Sequence, residues 1–499
     1  MIKRMSPKSH QKGSVKRRPY LSLLLLTLAG LLVHGYHPMA EDAEIYIPSV
    51  KKVLNPALYP FGSEFFLHHA SLTQFDRLIA MSVRISHLSF DAAVFLWYLA
   101  SIFLTLLACW DWAEECFIEK ESRFAGVALV AALLTLPVAG TSLYIADQYL
   151  TPRSLVLFAL LFATLNAWRG RYVRFAVWSI FAGLMHPLMA VFGVSFGLLL
   201  AGMRYAEAGE KAAVPVWALL FMPDLGVLPA SDAYREAVQT RSYFFLLQWH
   251  WYEWIGIFAP LALLWWFSQS QRRKETPSLG RVSWSLVTYG LGFFVLALVL
   301  TTQPRLETLA RLQPMRSLHL LYTFLIVLGG GLLGKYVLKR HALRWVILFL
   351  PLCAGMWFAQ RQLFPDSPHI EWPGVAPMNH WLRAFDWIRS NTPSDALFAI
   401  DPNYMLSDDQ HGFRAIAERS RLADAVKDSG AVTMFPDAPF PEHWLEQVTD
   451  QRRWAGFKAA DFHRLQHKYG VSWVVLQRPG IQELTCPYQN DTLLVCRLD

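Results

Sequence analysis

Apolar residues run in long, almost uncharged stretches through the first 360 positions and in short, charge-broken ones afterwards. A hydrocarbon core of about 30 Å is crossed by roughly 20 residues of apolar helix, and by somewhat fewer where flanking side chains snorkel. By that measure the chain predicts about eleven spans: 20–36, 90–110, 124–140, 152–168, 172–185, 187–203, 214–228, 251–268, 284–302, 318–338 and 345–360. The runs 172–185 and 214–228 are the shortest.

Past residue 360 the pattern changes. Pro365, Pro368, Pro373 and Pro377 mark a linker over 361–378, after which charged and apolar residues mix as in a soluble domain. Residues 379–390 predict an amphipathic helix stopped by Asn391, Thr392 and Pro393, and 396–400 predict a strand. Further helices are predicted over 408–419, 442–451 and 460–469, and strands over 471–477 and 492–498. The expected fold is an all-α polytopic membrane protein with a small C-terminal α/β domain. It divides into a basic N-terminus (1–19), a membrane domain (20–360) carrying a first loop (37–89), the linker, and the C-terminal domain (379–499).

Composition agrees with the pattern. Charged residues make up 17% of the chain, against roughly 25% in soluble domains, which argues against a cytosolic enzyme. The 33 Phe, 20 Trp and 18 Tyr must be buried in protein or lipid, which argues against disorder. A net charge of +8 would fit a nucleic-acid partner only if the basic residues shared one folded face. They lie between the apolar runs instead, so no nucleic-acid partner is expected. With Lys3, Arg4, Lys8, Lys12, Lys16, Arg17 and Arg18 in the cytoplasm, alternating spans also bring Arg169, Arg171, Arg174, Arg204, Lys211, Arg272, Arg273, Lys274, Lys335, Lys339, Arg340 and Arg344 inside. The first loop and the tail are then outside. A cleaved signal peptide ending at Ala40 is the alternative for the first run, and it leaves the first loop on the same side. Of the five cysteines, Cys486 and Cys496 flank the turn-forming Gln489, Asn490 and Asp491, where either a hairpin disulfide or two thiols can sit.

Candidate chemistry concentrates after the first span. Glu41, Asp42 and Glu44 put three carboxylates within four positions, followed by Tyr46 and an amphipathic, aromatic stretch that can lie along the membrane surface. Such a cluster can hold a divalent cation or raise one carboxyl by like-charge repulsion. The plain alternative is a solvated helix start, where acidic groups favour the positive end of the dipole.

An acidic pair opening the first external loop, an interfacial stretch, about a dozen spans and an external α/β tail resemble the GT-C superfamily of integral-membrane glycosyltransferases. The strings EDAEIYIPSVKKVLNPALYPFGSEFF and AFDWIRSNTPSDALFAI look like those of an uncharacterised bacterial branch of it. The resemblance implies a transferase in the bacterial inner membrane that moves a sugar from a polyprenyl-phosphate donor to a lipid, glycan or protein acceptor on the outer face. It also implies that an acidic residue of the first loop acts as base or binds a metal, Mg or Mn. Asp42 matches that residue best and Glu41 second. Glu44 is a poorer match.

Glycosyl transfer needs cations on the departing phosphate, and Arg binds phosphate with two parallel hydrogen bonds. Arg305, Arg311 and Arg316 lie in the loop 302–317 and Arg153 at a span entrance, each with the alternative role of a snorkelling or headgroup anchor. Asp147 is a candidate second carboxylate or a cap near Thr151. His186, before Pro187, is a candidate contact whose plainer role is structural, and His37 is a candidate partner of Asp42 in a metal site. Arg414, Arg419 and Arg421 read as a solvated helix face rather than an acceptor contact. Gly329, Gly330 and Gly331 read as helix packing rather than a nucleotide fingerprint. Two competing readings are a polysaccharide polymerase or ligase using lipid-linked glycans, and a non-catalytic membrane assembly or transport protein.

Overall fold

A computed structural model describes residues 19–207, 230–271, 277–302, 304–437 and 439–498. The predicted span 214–228 and the basic positions 3–18, Lys211 and 272–274 lie outside them. Among the described residues, five helices are long and apolar enough to cross a membrane: Phe90–Cys116, Pro187–Arg204, Ser278–Thr302, Thr308–Leu338 and Ala342–Leu363. Tyr20–His34, Pro152–Trp168 and Tyr172–Met185 are shorter apolar helices, and the run 251–268 lies within the helix Trp251–Gln271. Leu343, Val346, Ile347, Leu350 and Phe358 of Ala342–Leu363, and Leu21, Leu25 and Leu32 of Tyr20–His34, face outward uncovered. An apolar band that wide is stable against lipid and not against water, so the chain is a multi-pass membrane protein.

The predicted span 124–140 does not form. Its helix, Lys120–Ala132, is 13 residues long and about 20 Å at the usual rise. The chain then turns into a two-stranded hairpin pairing Pro137–Val138 with Leu143–Tyr144. Pro137 brings no amide donor to extend the helix, and Gly140, at φ +66°, meets the Trp249 ring so closely that a Cβ would stand 2.2 Å from it. This short helix packs tightly on the one carrying the glycine run. A Cβ on Gly330 would come 2.8 Å from the Ala125 carbonyl, and one on Gly126 2.7 Å from the Val327 carbonyl. The glycines therefore serve close helix packing.

The C-terminal part holds a five-stranded sheet in the order Ser420–Arg421, Leu397–Ile400, Trp473–Gln477, Leu493–Arg497, Thr485–Gln489. The first three strands are parallel and the last two antiparallel to their neighbours. Thr485–Gln489, whose strand was not foreseen, carries the Cys486–Cys496 disulfide to its neighbour. The helices His380–Asn391, Phe440–Asp450 and Ala459–Tyr469 fall close to expectation. Of the predicted helix 408–419 only Phe413–Ala417 is helical, and a separate short helix, Tyr404–Ser407, precedes the range. Between them the Asp409 carboxylate accepts from the His411 amide at 2.9 Å, a local bond that competes with helix.

The first loop forms Ala43–Leu54, Glu64–Ser71 and Phe75–Ser86 and shares a core with the tail: Met39, Ala40, Ala43 and Ile47 pack with Trp381, Phe385, Tyr404 and Phe413. Backbone bridges join Tyr36 to Ile370 and Ala40 to His411. Loop and tail therefore meet at one end of the helical body.

Candidate functional site

Glu41 sits at φ +53°, an uncommon conformation for a residue with a Cβ, held by its amide bond to the Gln410 carbonyl at 2.7 Å. This turn aims Glu41 and Asp42 toward the junction of loop, helices and tail. Asp42 starts the helix Ala43–Leu54 but its side chain caps no amide, so it is not a mere helix-start acid. Its Oδ2 accepts from Arg153 at 2.8 Å, and the other nitrogen of the same guanidinium donates to Asp147 Oδ2 at 2.9 Å. Arg153 is fixed by the helix start around it, where Thr151 and Ser154 form a capping box with Pro152 in the first turn. Asp147 also accepts from the Thr151 hydroxyl at 3.2 Å; the helix cap there is Thr151 itself, so Asp147 does not take its alternative role of a cap.

The tail adds a residue that sequence reasoning missed. Lys427 Nζ lies 3.2 Å from Asp42 Oδ1 and pairs with Glu41 as well. Lys427 follows a turn in which Asp424 Oδ1 accepts the amides of Val426 and Asp428; no periodicity of the sequence marks it. Burial by itself would raise the Asp42 carboxyl, but the charges of Lys427 and Arg153 outweigh this and hold it well below the usual carboxylate range. Asp42 nevertheless keeps 29% of its side chain exposed and Glu41 36%, against 10% for Arg153 and 7% for Asp147, so these two acids are the reachable members of the group.

Around these charges stand further polar groups. The Tyr46 hydroxyl bonds His69 Nε2 at 3.0 Å. Burial lowers His69 to about 4, with Arg153, Arg316 and Arg241 pushing it the same way against Asp42, so it is neutral near pH 7. Its Nδ1 is buried without a partner. His186 accepts the Met189 amide at 3.4 Å through Nδ1, a cap-like contact, while burial and then Arg153 and Arg316 hold it neutral. Arg316 lies over the Tyr243 ring at 5.5 Å. Among the described residues it has no carboxylate partner, and its buried Nε has no hydrogen-bond partner. Arg311 instead donates to the Met434 carbonyl at 3.0 Å, tying its loop to the tail. Arg305 belongs to the 3-10 helix Pro304–Leu312, and its side chain lies outside the described residues. Two cavities border the group, about 20 Å³ beside Asp147 and Arg153 and about 10 Å³ beside Arg316 and Tyr243. Each of the two admits water and not a sugar.

His37 does not join Asp42 in a metal site. It stacks on Phe364 at 3.7 Å and bonds Glu371 Oε1 through Nδ1 at 2.8 Å, while Asp42 turns to Arg153 and Lys427. Glu371 also meets His411 Nε2 at 2.9 Å. Against the cost of burial, Glu371 and Asp409 raise His411 to about 10, and the two histidines lower Glu371 to about 2.

Glu44 is structural, and it corrects the reading of the tail arginines. Its carboxylate is fully buried and accepts the amides of Arg414 and Ala415 at 3.2 and 3.1 Å and Arg421 Nε at 3.0 Å. Arg414 adds a bidentate pair with Asp428, both bonds 2.9 Å, and Arg421 pairs with Asp424. Arg419 bonds the Thr392 hydroxyl at 3.1 Å and the Thr392 carbonyl at 2.7 Å. None of the three forms a solvated face: Arg414 and Arg421 are buried against acidic partners, and through Glu44 they lock the tail onto the loop, while Arg419 is buried against hydroxyl and carbonyl oxygens of the tail itself.

Comparison with known proteins adds the following. A family model described as a domain of unknown function, DUF6798, matches residues 379–429, the stretch that carries Lys427. No curated protein matches the chain. Among solved structures, the chain is similar to the Archaeoglobus fulgidus oligosaccharyltransferase tethered with an acceptor peptide containing the NVT sequon, at 14% identity and a TM-score of 0.46, covering 93% of this chain and 69% of that one. It is also similar to the same enzyme in complex with Zn and sulfate, at 13% identity and a TM-score of 0.47, covering 91% and 67%.

Proposed function

We propose that this chain is a membrane glycosyltransferase of the GT-C kind, moving a sugar from a polyprenyl-phosphate donor to a lipid, glycan or protein acceptor on the extracytoplasmic face of a bacterial inner membrane. The proposed division of labour is a membrane body over 20–360, a linker over 361–378 and an acceptor-side domain over 379–499. One observation carries the reading: Arg153 clasps Asp42 and Asp147 from two different loops, under a tail that supplies Lys427 and beside Arg316, which lacks a carboxylate partner among the described residues.

Each part has a task in glycosyl transfer. The transition state carries positive charge on the sugar and negative charge on the departing phosphate. Arg316 takes the phosphate, its guanidinium free to present two parallel N–H groups. Asp42 faces the sugar and the acceptor. Held ionised by Lys427 and Arg153, it is a weak base in the resting arrangement, and its first contribution is to stabilise the oxocarbenium charge and orient the acceptor hydroxyl. When the acceptor displaces Lys427 toward Glu41, the Asp42 carboxyl rises toward the value a general base needs. Asp147 keeps Arg153 in place throughout. The space between Asp42 and Asp147 is filled by the Arg153 guanidinium, so the pair as arranged does not fit a divalent cation, and no step is routed through Mg or Mn.

The test is release of polyprenyl phosphate from a polyprenyl-phosphate hexose by the purified full-length protein in detergent. Asp42→Asn is expected to lower turnover by about a hundredfold or more while unfolding at the wild-type temperature. Full turnover in the folded variant would remove Asp42 from the chemistry.

A further inference from the structure

His37, Glu371 and His411 come from three separate stretches of chain: the end of the first apolar helix, the Pro-rich segment and the tail. Their ligating atoms lie within 4.8 Å of one another. The backbone holds the three stretches independently of those side chains. The Glu371 amide donates to the Tyr36 carbonyl at 2.9 Å, the His37 amide to the Gln148 carbonyl at 2.9 Å, and the Gly412 amide to the Met39 carbonyl at 2.8 Å. Both histidine side chains are fully buried and Glu371 is 12% exposed, so the cluster is shielded from bulk water on most sides.

We propose that His37 Nδ1, Glu371 Oε1 and His411 Nε2 form a zinc-type site that clips the first helix end, the Pro-rich segment and the tail together. Two imidazoles and one carboxylate are a common ligand set for Zn²⁺, which takes such donors at about 2.0–2.2 Å in tetrahedral geometry and completes its shell with water. Ligand atoms around such an ion stand about 3.3 Å apart. The His37–Glu371 and His411–Glu371 separations of 2.8 and 2.9 Å are those of hydrogen bonds, so these two pairs spread by about half an ångström to admit the ion, and the two ring nitrogens, within 4.8 Å of each other, adjust to the same spacing. It takes the place of the protons the imidazoles now share with Glu371. His411 gives its Nε2 proton to solvent, and His37 moves its own to Nε2.

The surroundings of His411 favour a ligand role. Its Nδ1 bonds Asp409 Oδ1 at 2.7 Å, and the other oxygen of Asp409 accepts from Asn379 Nδ2 at 2.7 Å. A carboxylate that takes the far N–H of a histidine fixes the tautomer whose near nitrogen offers its lone pair, and carboxylate–histidine–zinc chains are built this way. The site is separate from the Asp42 group, so its presence does not depend on the glycosyltransferase reading.

The experiment uses the full-length protein in detergent, purified through a tag without histidine, stripped with chelator and dialysed against ZnCl₂. Metal analysis is expected to find about one tightly held zinc per chain and a higher unfolding temperature than in the stripped protein. Glu371→Gln and His37→Gln are expected to lose that zinc and Asp42→Asn to keep it. Stripped wild-type protein that takes up no stoichiometric zinc would overturn the proposal, as would zinc retained by Glu371→Gln or lost from Asp42→Asn. Because a variant can misfold, Co²⁺ is also added to the stripped wild type. The visible d–d bands of a four-coordinate site are expected, and their absence counts against the clip without any substitution.

Discussion

Lys427 decides the state in which Asp42 waits. A carboxyl as enclosed as Asp42 would ordinarily be hard to ionise, and it is the pair Lys427 and Arg153 that reverses the balance. Since the folded value is depressed, the ion pair contributes stability that is present above the ordinary carboxylate value and is lost as pH falls through the folded one. Lys427→Met removes one of the two cations and so raises the folded value. The acid limb of the pH–rate profile is expected to move to higher pH than in wild type, and the stability difference between the two proteins to shrink as the medium is acidified. An unmoved acid limb would separate Asp42 from that limb. Asp42, Arg153 and Asp147 were legible as candidates because acids and arginines at span ends stand out against apolar sequence. Lys427 was not, since a lysine in a charged, soluble-like tail has nothing around it in sequence to set it apart.

The helix Ala43–Leu54 carries two carboxylates with opposite fates. Asp42 at its start keeps part of its side chain exposed, while Glu44, two residues on in the first turn, is swallowed by the tail and caps the helix Phe413–Ala417 from outside. Gly412 permits this approach, since a Cβ there would stand 2.4 Å from Glu44 Oε2. Removing one member of a buried ionic group leaves the others uncompensated, which typically costs about 3–5 kcal/mol. Glu44→Ala is therefore expected to destabilise the protein by an amount in that range, and Glu44→Gln by less because it can still accept an amide. Thermal unfolding of the full chain in detergent checks both, and an unchanged midpoint for Glu44→Ala would show that the lock contributes nothing. The broken helix 408–419 has the same origin. Its amphipathic spacing favours helix, but the turn at Asp409 and the seat of Glu44 against Gly412 win because they are made across chain segments.

At the scale of the molecule, loop and tail occupy one end of the helical body, and the Lys120 and Arg340 region, where Arg340 bonds Glu121 at 2.7 Å, occupies the other. With Cys109, Cys116 and Cys353 replaced, cysteines introduced at Ser71 and Ser390, both exposed, are expected to react with an impermeant maleimide from one side of the membrane, and one at Arg340 from the opposite side. Labelling of Ser71→Cys and Ser390→Cys from different sides would break the shared face on which the site depends.

By itself the sequence determined that the chain lives in a membrane, that five of its apolar runs among the described residues fall on helices long enough to cross one, and that a compact α/β region follows them. Those are consequences of local composition: a stretch of apolar residues must leave water whatever else the chain does, and alternation over a few residues names a strand. Only the tertiary structure decided that Asp42 pairs with Arg153 and Lys427 while Glu44 is buried against the tail, that Arg414 and Arg421 are buried, and that His37 belongs with Glu371 and His411 rather than with Asp42. Those depend on groups more than three hundred residues apart coming within hydrogen-bond reach. Charge and burial act through distance in space, and distance along the chain does not record it.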